Sequence, residues 1–273
     1  MDTIISRIAF NEGAVLSIFG GSFFGLSFGF ILANAFGCIP AIGFISRGIL
    51  FNPDTKKPTT NLMETEVNIP DRPFELLLST DGSGNSIAMI GSTKSGKSFA
   101  LSYILTHYFK EHISVLMTNS PQANIYRTMK SCLQSPEYFP KILKDMEYIN
   151  EHTDNEYKFL AVFDDVVTGV KFDKQILRML CIGRNKGMSG IICVQDITIL
   201  NSAGRNNINF MLFFKLNTDD RVEKVIKHYL NSYLPKNIKM VDKIRWYREA
   251  TEDHHFIVLD TLNGAIFRTK VVV

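Results

Sequence analysis

The run IAMIGSTKSGKS at residues 87–98 prescribes a buried strand, a tight glycine-bearing loop and a helix in immediate succession. It fits the pattern G-x-x-x-x-G-K-[ST] through Gly91, Gly96, Lys97 and Ser98. The apolar residues Ile87 to Ile90 precede it and the helix-like FALSYILTHYF follows it. That context separates a phosphate-binding loop from an ordinary Gly/Ser turn. In such a loop the backbone N–H groups of Gly91, Ser92, Thr93, Lys94, Ser95 and Gly96 curl round an anionic phosphate, and the helix start adds a favourable dipole. Lys97 is expected to reach the outer phosphates, and Ser98 to ligate Mg²⁺.

A strand–loop–helix unit of this kind needs a parallel sheet around it, and the rest of the chain supplies the elements. Strands are expected at FELLLS (74–79), at 86–90, at HISVLMT (112–118), at KFLAVFDD (158–165), at GIICVQ (190–195) and at INFMLFFKLN (208–217). Helices are expected over 98–110, across most of 121–151 with breaks near Pro136 and Pro140, and over 173–183, 219–230 and 238–245. DGSGN (81–85) reads as a turn. HHFIVLDTLNGAIFRTKVVV closes the chain as a hairpin turning at Asn263-Gly264. Alternating strands and helices imply an α/β fold with a mainly parallel central sheet flanked by helices.

The strand at 158–165 ends in Asp164-Asp165. A carboxylate at the end of a buried strand beside a phosphate loop can complete a Mg²⁺ shell, a role that falls to Asp164. Asp165, one position on, is placed to polarise an attacking water, although a longer glutamate serves that purpose better. Gln195 ends the next strand, where an amide can sense a γ-phosphate or the attacking water. Arg184 lies eleven residues before Gln195, on the loop that leads into that strand. A charge there is poorly aimed at a nucleotide of its own chain. It is better placed for the nucleotide of a neighbouring subunit.

The N-terminal segment is of another kind. Residues 13–46 carry no charge and are rich in Phe, Ile, Leu and Gly. A membrane-spanning helix needs about 20 such residues. Ser17, Gly21, Gly25, Gly29, Ala33, Gly37 and Ala41 recur every four positions, a ladder of small side chains that lets two helices approach closely in lipid. Asn11 can cap such a helix and Pro40 can end or kink it. A buried hydrophobic arm packed on protein is the alternative. Arg47, Lys56 and Lys57 follow the segment, so the positive-inside bias puts the C-terminal part on the cytoplasmic side. The expected organisation is a membrane-anchor segment at 1–51, a lead-in at 52–73 whose polar stretch 52–70 holds three prolines, and a P-loop domain at 74–273.

Bulk composition fits this division. Of 273 residues 45% are hydrophobic and 21% charged, which suits a packed domain of roughly 200 residues. The net charge of +3 does not by itself indicate a nucleic-acid partner. Cys38, Cys132, Cys181 and Cys193 lack metal-ligand spacing and read as buried free thiols. His254-His255 reads as strand surface rather than a metal site.

Taken in order, these segments resemble the FtsK/HerA superfamily of DNA-pumping ATPases. GRNKGMSGIICVQD (183–196) resembles the family segment in which an arginine precedes a strand-ending glutamine by eleven residues, here Arg184 and Gln195. GRNNINFMLFFKL (204–216) resembles the next one, with Arg205 and Asn207 at the positions of its Arg-x-Asn. The short length and the Asp-Asp pair look most like the viral genome-packaging branch, found in poxviruses and in membrane-containing icosahedral viruses. The resemblance covers roughly residues 75–270. It implies a RecA-like fold, ATP and Mg²⁺ as cofactors, and a homo-oligomeric ring, pentameric or hexameric. It also implies double-stranded DNA as a sequence-independent partner, capsid vertex proteins as further partners, and a place in the virion or the host cytoplasm. Arg184 becomes an arginine finger acting in trans, and Arg127 and Lys130 are candidate phosphate-tracking residues. The superfamily more often has glutamate at the position of Asp165, and packaging ATPases are usually soluble, so the hydrophobic segment stands outside the resemblance. A membrane-anchored cellular or plasmid DNA pump, or an ATP-binding membrane scaffold with little hydrolysis, are the alternative functions.

Overall fold

The computed structural model describes residues 67–79, 84–119, 126, 131–154, 156–166, 170–196 and 202–272. The hydrophobic segment 13–46, Cys38, Arg127 and Lys130 lie outside the described residues. Among the described residues no helix is long and apolar enough to cross a membrane.

Eight strands form one sheet: β1 (Ser86–Ile90), β2 (Ile113–Thr118), β3 (Cys132–Gln134), β4 (Phe159–Asp164), β5 (Met188–Val194), β6 (Phe210–Phe213), β7 (Phe256–Asp260) and β8 (Ala265–Thr269). Their order is β3-β2-β4-β5-β1-β6-β7-β8. Every pairing from β3 through β6 is parallel, and β7 and β8 add an antiparallel edge. The mainly parallel sheet and the closing hairpin expected from the sequence are both present. The hairpin turns over four residues, Thr261 to Gly264, with Gly264 at φ 63°.

Parallel strands covered on both faces read as continuous apolar runs, and these do. In β1, Ala88 and Ile90 enter one core while Ile87 and Met89 enter the other. Helix α1 (Lys97–His107) covers the second core with Ala100, Leu101, Ile104 and Leu105. The first core takes Phe139, Leu143 and Met146 of α2 (Phe139–His152), Ile176, Met179 and Leu180 of α3 (Val170–Cys181), and Tyr247 of the helix Met240–Ala250.

Several expectations fail locally. Residues 74–79 form no strand. Phe74 instead packs against Tyr103, Tyr108 and Phe256, and the Tyr108 hydroxyl donates to the Phe74 carbonyl (3.1 Å) and accepts from the Leu76 N–H (3.3 Å), so side chains take the place of a ladder. The region 121–151 is not uniformly helical: β3 precedes a 3₁₀ turn at Pro136–Tyr138, and Pro140 sits at the start of α2, where its missing N–H costs nothing. The helix expected at 219–230 is α-helical over Asp219–Val225 and then widens into a π turn at Ile226–Leu230. Cys193 is a buried free thiol, whereas Cys181 is only half-buried. His254 and His255 lie in the turn before β7, not in the strand.

Upstream of the sheet, residues 70–72 run alongside β8. The Arg72 N–H donates to the Arg268 carbonyl and the Arg268 N–H to the Pro70 carbonyl, both at 3.0 Å, with Asp71 bridged to Arg268.

Candidate functional site

The topology puts the chemistry at one edge. In a parallel sheet of this kind ligands bind at the carboxyl ends of the strands. β5 lies between β1 and β4. The loop after β1, Asp164 at the end of β4 and Gln195 just past β5 therefore stand side by side.

The loop is built by the strands next to it. The Gly91 N–H donates to the Val194 carbonyl (3.1 Å) and the Ser92 N–H to the Lys215 carbonyl (2.9 Å), while the Ser92 hydroxyl accepts from the Asn217 N–H (2.9 Å). Gly91 has no alternative there, because a Cβ would stand 2.6 Å from that of Phe214 and 2.7 Å from the Ser95 hydroxyl. Lys94 at φ 62° and Gly96 at φ 96° turn the chain back into α1. That helix starts with no side-chain cap and no acidic residue in its first turn, so its N–H groups stay open to an anion.

Lys97 is buried, and its ammonium donates to the carbonyls of Gly91 (2.6 Å) and Ser92 (2.9 Å). Burial lowers its pKa, against the pull of Cys193, Asp165 and Asp164, which act to raise it. The lysine thus folds over its own loop, at the place where outer phosphates would lie. The Ser95 hydroxyl is buried without a partner. Such an orphan marks a place where a ligand oxygen fits.

Asp164 is buried. Burial pushes its carboxyl above the usual carboxylate range, and neighbouring Asp165 adds to this, while a hydrogen bond from the Tyr126 hydroxyl (2.9 Å) and the charge of Lys97 oppose it. Tyr126 also bonds to the Thr118 hydroxyl (3.3 Å), and burial pushes its own pKa up to about 12. A desolvated carboxylate facing the same cleft as Ser98 is a donor set that suits a hard, oxygen-seeking divalent cation such as Mg²⁺.

Asp165 leaves the strand at φ 54° and is exposed, and its carboxylate accepts a 3.0 Å hydrogen bond from the Gln195 amide. The two residues expected to handle water and the γ-phosphate are thus brought together.

Arg184 is elsewhere. It sits in the 3₁₀ turn Gly183–Lys186 before β5, and its carbonyl accepts from Gly84, just ahead of β1. The seven residues of β5 at about 3.3 Å each put it roughly 20 Å or more from Gln195. Arg205 and Asn207 lie near it in height, before β6, with the Asn207 carbonyl held by the Ser86 hydroxyl at 2.5 Å. All three occupy the amino edge of the sheet, opposite the phosphate loop.

Loop and carboxylates line a cleft of about 570 Å³. Seven of its lining residues were not expected at the site, among them Tyr126 and His254, the latter read from the sequence as strand surface. A tyrosine shortly after a strand neighbouring β4 is a faint signal for the first. His254 belongs to no motif.

Fold and site together define a P-loop nucleoside-triphosphatase architecture. In structure the chain is similar to the DNA-packaging ATPase B204 of Sulfolobus turreted icosahedral virus, with a TM-score of 0.51 and 13% identity over 69% of this chain and 98% of that one. B204 of Sulfolobus turreted icosahedral virus 2, solved with AMPPCP, gives 0.48 and 13% over 69% and 98%. EssC (ATPases 2 and 3) of Geobacillus thermodenitrificans gives 0.46 and 13% over 69% of this chain and 39% of that one. At 13% identity the likeness to the first of these is one of fold. No protein-family model and no curated protein sequence matches the chain.

Proposed function

We propose that this chain is an ATP hydrolase of the FtsK/HerA type that drives double-stranded DNA into a preformed viral capsid. The observation that carries the reading is the joint placement of the phosphate loop, buried Asp164 and the Asp165–Gln195 pair at neighbouring strand ends, in a fold shared with a DNA-packaging ATPase. Residues 74–273 form the motor domain, 52–73 the lead-in and 1–51 the membrane anchor.

In this reading the open N–H groups of Thr93, Lys94 and Gly96 to Ser98 hold the phosphates, and the Lys97 ammonium exchanges its two loop carbonyls for phosphate oxygens. Ser98 and Asp164 would hold Mg²⁺, which would supply neutralisation of phosphate charge. Asp165 accepts the proton of the attacking water, and Gln195 fixes the orientation of that carboxylate. Arg184 serves the site of the next subunit, since it stands at the far edge of its own sheet; this makes a homo-oligomeric ring the working form. DNA is held through its phosphates, without sequence readout.

The test is ATP turnover with and without duplex DNA. Stimulation by DNA, lost in Lys97→Ala and in Arg184→Ala, is the expected result; nucleotide binding with no turnover in either condition would point to a scaffold instead. For the anchor, the full chain should need detergent to stay monodisperse, while a chain starting near Asn52 should not.

A further inference from the structure

The cleft is larger than a triphosphate and a metal ion require, and its remaining wall is built of carbon. Phe99 follows Ser98 directly and is 51% exposed although it is aromatic. Behind it lie Phe214 and Phe256, buried and stacked on each other with centroids 4.6 Å apart. Val271, from the tail after β8, and His254, from the turn before β7, complete the wall. His254 stands over the loop: a Cβ on Gly96 would lie 3.8 Å from its Nδ1. Asp253 and His254 both have positive φ, 50° and 62°. Two successive non-glycine residues in that region are uncommon, and they set the direction in which the His254 side chain leaves the backbone. Three segments distant in sequence thus meet on one surface beside the phosphate loop.

We infer that this wall is the base subsite, where the flat heteroaromatic base of a nucleoside triphosphate lies on the Phe99 ring, bounded by His254 and Val271. The inference rests on the nucleotide reading of the loop and adds to it the part of the ligand that an inorganic phosphate chain lacks. It also gives the antiparallel edge of the sheet a role, since β7 and β8 deliver two of the three contacts.

The test compares binding of ATP and of inorganic tripolyphosphate to the full chain by calorimetry. Phe99→Ala and His254→Ala should each weaken ATP by about tenfold, the size of losing one base–aromatic contact, and leave tripolyphosphate unchanged. Phe99→Tyr should keep ATP affinity, and a thermal melt of each variant checks that it is folded. Equal weakening of both ligands, or unchanged ATP binding in both alanine variants, overturns the base subsite. Lys97→Ala should weaken both ligands. If it does so while the Phe99 and His254 variants affect neither, only the base subsite falls. If the wild-type chain binds neither ligand, the nucleotide reading falls with it.

Discussion

In the proposed site, Asp164 would serve function at a cost to stability. Burial raises its pKa, so the folded state binds its proton more tightly than the unfolded state does. Such a carboxyl favours folding below its unfolded pKa, and that contribution disappears as pH rises through the folded value. Above that value the desolvated carboxylate opposes folding, and a bound cation would offset the cost. Asp164→Asn should melt at or above the wild-type temperature in metal-free buffer at pH 7, lose the rise in melting temperature that Mg²⁺ and ATP give the wild type, and turn over ATP about 100-fold more slowly or worse. His112 works in the opposite direction. Burial, helped by Lys158, lowers its pKa to about 4, and its ring sits edge-on to Phe109 with centroids 4.8 Å apart. A histidine with a depressed folded pKa contributes stability above its ordinary value of 6.5, and that contribution is lost as pH falls toward 4. Acid titration followed by circular dichroism should therefore show a stability loss between pH 6.5 and 4, smaller in His112→Phe. Lys97, Ser98 and Asp164 were legible in the sequence because each sits at a fixed offset within a local pattern. Tyr126 and His254 were not, because they reach the cleft only through the packing of distant segments.

At the scale of elements, the joint between β1 and β5 separates two glycines that look alike in sequence. A Cβ on Gly84 would stand 1.8 Å from the Met188 carbonyl oxygen, which is backbone and cannot step aside. A Cβ on Gly190 would meet the Met179 Cε at 2.3 Å, the far end of a flexible side chain. Overpacking a core costs about 1–3 kcal/mol and more where nothing yields. Urea denaturation should show Gly84→Ala at or beyond the upper end of that range and Gly190→Ala at the lower end, because methionine adapts readily. Which segments form strands was mostly readable, since β1, β4 and β5 are buried on both faces and therefore continuously apolar. FELLLS is also leucine-rich, yet it carries Glu75, pairs with no strand among the described residues and is held by the Tyr108 hydroxyl. Three-residue β3 left too short a pattern to stand out from the helix that follows it.

For the whole molecule, the polarity of the sheet matters most: the phosphate loop, Asp164 and Gln195 occupy one edge, while Arg184, Arg205 and Asn207 occupy the other. If sites are completed across subunits, Lys97→Ala and Arg184→Ala chains should each be inactive alone. Mixed in equal amounts and reassembled, they should regain turnover at roughly a quarter of the interfaces, those where an intact loop faces an intact arginine. No recovery on mixing would place Arg184 outside the catalytic arrangement. The spacing from Arg184 to Gln195 spans the height of the sheet, which is why the sequence alone aims Arg184 away from the nucleotide of its own chain. The short run of residues 70–72 against β8 was not foreseen, because a proline-bearing polar stretch gives no pairing signal. Its position has a mechanical meaning. Tension on the chain ahead of residue 67 is delivered in shear to the hydrogen bonds between Pro70, Arg72 and Arg268, and from there through β8, β7 and β6 to the strand that carries the phosphate loop. The domain's load path therefore begins at Arg268, and a tether pulling there draws on the same sheet that holds Lys97.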